Sequence, residues 1–394
     1  MLGRIIKKKF GYTPYVWSAS SIFNRDKRHV RKLEGFDNRV ARMASSDNHS
    51  ALITDEGELY TWGDNGYGQL GIKGMNGEKP KSEDNPTLVS YFKEHNIKIK
   101  DVVLGKHHTL ALDDRGIVFS WGRGLMSNVK LFSLLFPSTL ALGHPEPSNI
   151  SIPKPIAKLR NESIESISSG NHFAMALAQS GELYVWGRGE FGVLGFENKE
   201  VKEPIINPYF SDMIEDQPEI KITKIDSCSD FSAVLLSDGM LLNFGNNDQG
   251  NMGLGITQSV DMCDSIQIPS PTKFETGEEL KIVDMDLAEA TNTIKVEDGR
   301  VFFMGQKLYY YPQLFDIDYN LHKIKTFCSS DRACAIITDE NRLFYRGNFW
   351  NEKNLDENID TGIMEGDVEK VFGNQEIVKI GGKYSNRWAL VKSN

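Results

Sequence analysis

The stretch Val40–Gly71, VARMASSDNHSALITDEGELYTWGDNGYGQLG, recurs along the chain, and this recurrence constrains the fold more than any other feature. It reads as a strand of small residues (Ala44, Ser45, Ser46), a short link, an apolar strand at Ser50–Ile53, and a turn at Asp55-Glu56-Gly57. An aromatic strand, Leu59–Trp62, follows and stops at Gly63. Glycine in the turn accepts the positive φ of a tight hairpin. The aromatic residues after it suit a pleated, half-buried surface. Gly66, Gly68 and Gly71 then bend the chain toward the next unit.

Five further copies open at Ile99, Ile164, Ile222, Ile282 and Ile324. The residue before the exit glycine runs Trp62, Trp121, Trp186, Phe244, Met304, Arg346, at separations of 59, 65, 58, 60 and 42 residues. This period suits a four-stranded sheet per copy with loops of free length. Ala141-Leu142-Gly143 reads as the displaced counterpart of Gln69-Leu70-Gly71. The chain ends supply the halves of a seventh copy: Glu376–Val391 looks like its first two strands and Tyr12–Ser20 like its exit strand. A stack of open sheets leaves unpaired edges, whereas a closed ring removes them. The expected fold is therefore all-β, a single seven-bladed β-propeller over residues 12–394 with its last blade shared between the N- and C-termini.

The copies resemble the repeat of the regulator of chromosome condensation family, with its Gly-x-x-His, Ala-Leu, Asp-Gly, Trp-Gly and Gly-Gln-Leu-Gly. Tyr60-Thr61-Trp62-Gly63 and Gly68-Gln69-Leu70-Gly71 match best. The resemblance implies the propeller. It does not choose among functions, because one scaffold hosts unrelated tasks.

The 45 Lys and Arg against 54 Asp and Glu leave a net charge of −9, the wrong sign for a nucleic-acid-binding face. No apolar run reaches the roughly 18 residues of a spanning helix. Cys228, Cys263, Cys328 and Cys334 show no paired spacing and read as buried, reduced thiols of an intracellular protein. The first 25 residues differ in kind. They hold Arg4, Lys7, Lys8, Lys9 and Arg25, with no acid before Asp26. Residues 1–11 read as a basic leader of the mitochondrial targeting type. Because Tyr12–Ser20 is needed to close the ring, the signal is expected to be short or uncleaved. The localisation expected is mitochondrial, with cytoplasm or nucleus as the alternative.

Gly187–Gly192 fits the G-x-G-x-x-G dinucleotide pattern, but Gly63–Gly71 shows the same glycine-rich exit, so the repeat explains it. His107 and His108 are adjacent on a strand and point to opposite faces, which makes a shared metal ion unfavourable. His108 and His49 occupy one repeat position, where Phe173, Phe231, Asn292 and Ala333 stand in other copies, and both read as histidines bonding between strands. No catalytic, cofactor-binding or metal-ligating residue is assigned. Two apolar features are candidate protein interfaces: Leu131, Phe132, Leu134, Leu135 and Phe136 in the insertion of the second copy, whose alternative is packing back on its own blade, and Tyr309, Tyr310 and Tyr311, read as an aromatic turn, whose alternative is packing against a neighbouring blade. Leu88–Ile99 is expected to hold a short helix, and Asn351–Asp367, with six acids, to be a solvated loop.

The function expected is a non-enzymatic protein-interaction scaffold without cofactor, a component or assembly factor of a respiratory-chain or mitoribosomal complex. Its partners would be subunits of that larger complex, with peripheral membrane association through the complex and no nucleic acid. The resemblance supports this range, since mitochondrial members of the family are linked to mitoribosome function, respiratory-complex assembly and membrane-fusion GTPases. The alternative it implies is guanine-nucleotide exchange on a small GTPase, although no insertion here matches the family's exchange wedge. A third reading, an accessory part in ubiquitin transfer, would need a catalytic domain on another chain.

Overall fold

The computed structural model describes residues 11–18, 30–72, 80–124, 141–145, 148–196, 200–255, 265–277, 279–347, 363–384 and 386–392. Within them the chain forms seven four-stranded antiparallel sheets. Blades 1 to 6 open with Val40–Ser45, Ile99–Leu104, Ile164–Ser169, Ile222–Cys228, Ile282–Leu287 and Ile324–Ser330. Each continues as a simple meander in chain order. Blade 7 takes its first two strands, Glu376–Gly381 and Asn386–Lys392, from the C-terminal end. Its outer two, Thr13–Ser18 and Arg31–Lys32, come from the N-terminal end. Pairing from Thr13↔Val391 to Ser18↔Asn386 joins the two ends, so the shared closing blade expected from the sequence is what the chain builds.

First strands of neighbouring blades touch one another and so surround the axis. Each carries a register shift after its opening aliphatic residue, between Val40 and Arg42 in blade 1 and at the same place in all the others. Such a bulge increases local twist. It brings Arg42, Asp101, Ser166, Lys224, Asp284, Thr326 and Lys379 to equivalent places, one per blade.

The aromatic-glycine motif joins blade to blade. Trp121 of blade 2 is fully buried against Gly71 of blade 1. Gly71 has φ +68°, and a Cβ there would lie 2.7 Å from the indole nitrogen. Trp121 Nε1 donates to Gln69 O at 2.9 Å, and Trp186 Nε1 donates to Ala141 O at 2.9 Å. Ala141–Gly143 thus serves the next seam as Gln69–Gly71 serves the first. The second strand adds a donor to the same place: Thr109 Oγ1 to Gln69 O (2.8 Å), Ser232 Oγ to Val193 O (3.0 Å), Asn292 Nδ2 to Asn251 O (2.6 Å). Where the aromatic is lost, the seam changes chemistry. Met304 packs over Gly253, and the Arg346 guanidinium lies 4.8 Å from the Phe303 ring of blade 5, within cation–π range.

Gly187–Gly192 leads into a short 3₁₀ turn, Glu190–Gly192, and not the long helix of a dinucleotide site. A helix over Ser90–Glu94 falls within the expected stretch. Tyr309–Pro312 is a correction. It lies in the fourth strand of blade 5, Tyr309–Leu314, because its backbone pairs with Phe302–Gly305. Most of the acidic segment expected as a loop lies outside the described residues, but Met364–Gly366 is the fourth strand of blade 6.

Candidate interaction face and axial cavity

His49 and His108 link blades. His49 Nε2 lies 2.9 Å from Thr109 Oγ1, and its Nδ1 lies 3.1 Å from Ser46 Oγ. His108 Nε2 lies 2.7 Å from Ser169 Oγ of blade 3. Because Thr109 Oγ1 donates to Gln69 O, it accepts from His49, which is therefore the neutral Nε2–H tautomer. Burial lowers the His49 pKa to about 3 and that of His108 well below its usual value, so neither takes up a proton readily. Strand pairing opposite the exit glycines places Phe173, Phe231, Thr291 and Ala333 at this position. The expectation of Asn292 there was one residue off, because Asn292 occupies the Thr109 position and makes its hydrogen bond.

The loops joining first and second strands gather at one end of the axis, where charged side chains from several blades meet. On blades 1 to 3, Arg123 lies 4.5 Å over the Tyr67 ring, and His107 lies 5.0 Å from the same ring. Burial, with Arg188, Lys106 and Arg123 nearby, lowers the His172 pKa to about 4. Phe191, on the exit loop of blade 3, is 47% exposed at φ +61°. A bulky residue in that region is strained, and such strain persists only where its surroundings hold it. At the same end, burial together with Asp331, Asp47 of blade 1 and Asp230 pushes the Glu289 carboxyl up to about 7.

Blade 7 closes this end. In it Lys379 pairs with Leu390 and Gly381 with Trp388, the same spacing as Arg42↔Ile53 and Ala44↔Ala51 in blade 1. Its loop has the ordinary length, and the long side chains of Lys383 and Tyr384 reach across the axis to the opposite blades. Tyr384 Oη donates to Asn171 Oδ1 and accepts from Ser229 N–H, both at 3.1 Å. Lys383 Nζ pairs with Asp226 at 2.6 Å. Below this crossing lies a cavity of about 430 Å³, lined by the first strands of all seven blades.

Of the residues singled out from sequence, Leu131–Phe136 lie outside the described residues. Tyr309, Tyr310 and Tyr311 lie in the outermost strand of blade 5, where Tyr309 pairs with Gly305. The Tyr310 and Tyr311 rings pack over Gly250 and Gly255 of blade 4, and Tyr309 meets Phe303 and Arg346. Sequence reasoning missed the gathering of charge at the loop end and the axial crossing, which rests on the side chains of Lys383 and Tyr384. No group of His, Cys, Asp or Glu suited to a metal ion occurs among the described residues. Among them, too, no helix is long and apolar enough to cross a membrane.

A latched ring of seven blades with indole-to-carbonyl seams defines a propeller of the regulator-of-chromosome-condensation type. The RCC1-like domain model matches residues 2–311, and the chain belongs to that family. It is 31% identical over 222 residues to the human E3 ubiquitin-protein ligase HERC2, covering 56% of this chain and 4% of that protein. It is 26% identical over 246 residues to the mitochondrial RCC1 domain-containing protein RUG3 of Arabidopsis thaliana, covering 62% of this chain and 51% of that one. The ultraviolet-B receptor UVR8 of the same plant is also 26% identical, over 70% of this chain and 55% of its own. The chain thus spans little more than half the length of such relatives, or far less. Among solved structures, human WBSCR16 superposes with a TM-score of 0.73 at 17% identity, over 97% of this chain and 99% of its own. Prp20p of Saccharomyces cerevisiae gives 0.76 at 15%, over 98% and 92%. These likenesses support the fold.

Proposed function

We propose that this chain is a non-catalytic protein-interaction scaffold, a component or assembly factor of a mitochondrial respiratory-chain or mitoribosomal complex. The observation that carries the reading is the loop face, with Tyr67, Arg123 and Phe191 on blades 1 to 3 and Glu289 and Asp331 on blades 5 and 6. Tyrosine and arginine dominate binding energy at interfaces, and groups already held by a closed ring lose little further freedom on association. The basic, acid-free start and the likeness to RUG3 favour mitochondria. Leu131–Phe136 and Tyr309–Tyr311 remain candidate secondary contacts on insertion and rim.

The test is mass spectrometry of what co-purifies with the tagged chain in mild detergent, beside a Tyr67→Ala, Arg123→Ala, Phe191→Ala variant. Respiratory or mitoribosomal subunits in fixed ratio, lost from the variant, are expected. A small GTPase captured preferentially after nucleotide stripping would replace this reading with exchange.

A further inference from the structure

The axial cavity has a polarity opposite to that of the whole protein. Six cations reach into it: Arg42, Lys224, Lys295, Lys325, Lys379 and Lys383. Four are matched by carboxylates. Arg42 pairs with Asp101 at 2.7 Å, Lys224 with Asp284 at 2.6 Å, Lys383 with Asp226 at 2.6 Å, and Lys325 with Glu376. Among the described residues neither Lys295 nor Lys379 has a carboxylate in ion-pair contact; Lys295 donates to Ile324 O at 3.2 Å. Lys379 feels the like charges of Arg42 and Lys224 and, beyond ion-pair distance, the carboxylates of Asp286 and Asp101. The remaining carboxylate, Asp286, accepts from Ser329 N–H and faces Asp226 near the crossing.

The two cations without carboxylate partners both flank blade 6. Lys295 reaches it from blade 5, and Lys379 stands beside it on blade 7, with Thr326 between them at the equivalent place on blade 6. Because Lys383 and Tyr384 cross the loop end, this open end is the accessible mouth. Lys295, Lys379 and the Thr326 hydroxyl all line the cavity, where six cations stand against three lining carboxylates, Asp226, Asp284 and Asp286. Such an excess of positive charge between low-dielectric walls concentrates anions.

We propose that the axial cavity is a binding site for a phosphate-type oxyanion, held at its mouth by Lys295 and Lys379 with Thr326 between them. The anion supplies the negative charge that the cavity wall lacks there. Among the described residues of the cavity wall only Lys295 and Lys379 lack an ion-pair carboxylate, so a single anion is expected. Free phosphate and the phosphate group of a small metabolite share this chemistry.

The test is calorimetric titration of the full chain with inorganic phosphate, pyrophosphate and a sugar phosphate. Matching titrations use Lys379→Met, Lys295→Met, Lys379→Arg and, as a control, the exposed Lys392→Met. Saturable one-to-one binding is expected in the unaltered chain and in Lys392→Met. It should weaken roughly tenfold or more in each of the other Met variants and be largely retained in Lys379→Arg. Neither Met variant breaks an ion pair among the described residues, so both should melt close to the unaltered midpoint, which separates lost binding from lost folding. Preference for the sugar phosphate, or equal binding of free phosphate, supports the site and identifies its source. No saturable binding up to concentrations of about 10 mM, or equal affinity in Lys379→Met and the unaltered chain, would overturn the proposal.

Discussion

Replacing His49 with phenylalanine tests the seam chemistry in one step. Phenylalanine is what blades 3 and 4 carry at this position, as Phe173 and Phe231, so the side chain has a precedent in the fold. At pH 7 the change removes the hydrogen bonds of His49 to Thr109 and Ser46, each worth about 1 kcal/mol. Thr109 keeps its bond to Gln69 O, so the seam should hold, and a loss of about 1–2 kcal/mol is expected. The pH dependence is the sharper readout. Burial first, and then His107, lower the His49 pKa from 6.5 to about 3. The unfolded chain therefore binds a proton below pH 6.5 that the folded chain refuses. The stability is fully present above 6.5 and is lost as pH falls toward 3. Linkage puts the loss from pH 7 to pH 5 at about 2 kcal/mol for this one histidine. His49→Phe should erase that part, leaving variant and unaltered chain close to equal at pH 5. Urea unfolding at both pH values measures it. If the two proteins lose stability in parallel, His49 is not the buried neutral histidine described here.

Three further changes probe the ring. Trp121→Ala empties a fully buried indole site between blades 1 and 2 and should cost about 3–5 kcal/mol in urea unfolding, with Trp121→Phe costing clearly less. Gly71→Ala puts a Cβ 2.7 Å from that indole at φ +68° and should lower stability by at least about 1–2 kcal/mol; a neutral result would refute the packing of this seam. Deleting residues 1–11 should leave the melting transition sharp, whereas deleting residues 1–18 removes the strand paired with Asn386–Lys392 and should broaden or abolish it.

The repeat, its glycine exits and the closing blade were legible because they rest on local chemistry. A tight hairpin needs glycine, and alternating apolar residues need a partner sheet. Displaced Ala141–Gly143 was recognisable for the same reason, since a seam needs a free carbonyl and a residue without a side chain beside the indole. Tyr309–Tyr311 looked like a turn because Pro312 follows them. An outer strand tolerates that proline, since an edge asks fewer backbone donors of its residues. The one-residue error at Asn292 arose because His49 and Thr109 positions are neighbours on one strand, and only the partner across the seam tells them apart.

What the sequence determined by itself was therefore the blade: its strand count, its turn glycines and the need for a seventh copy built from both ends. What only the tertiary structure decided were contacts made across the closed ring. Tyr384 reaches Asn171, 213 residues away, and Lys383 reaches Asp226, 157 residues away, only because closure sets blade 7 opposite blades 3 and 4. Lys379 is likewise unremarkable in its own repeat. It becomes part of a shared cavity wall because closure sets its strand among six others, and the charges that face it are decided by which blades stand beside it.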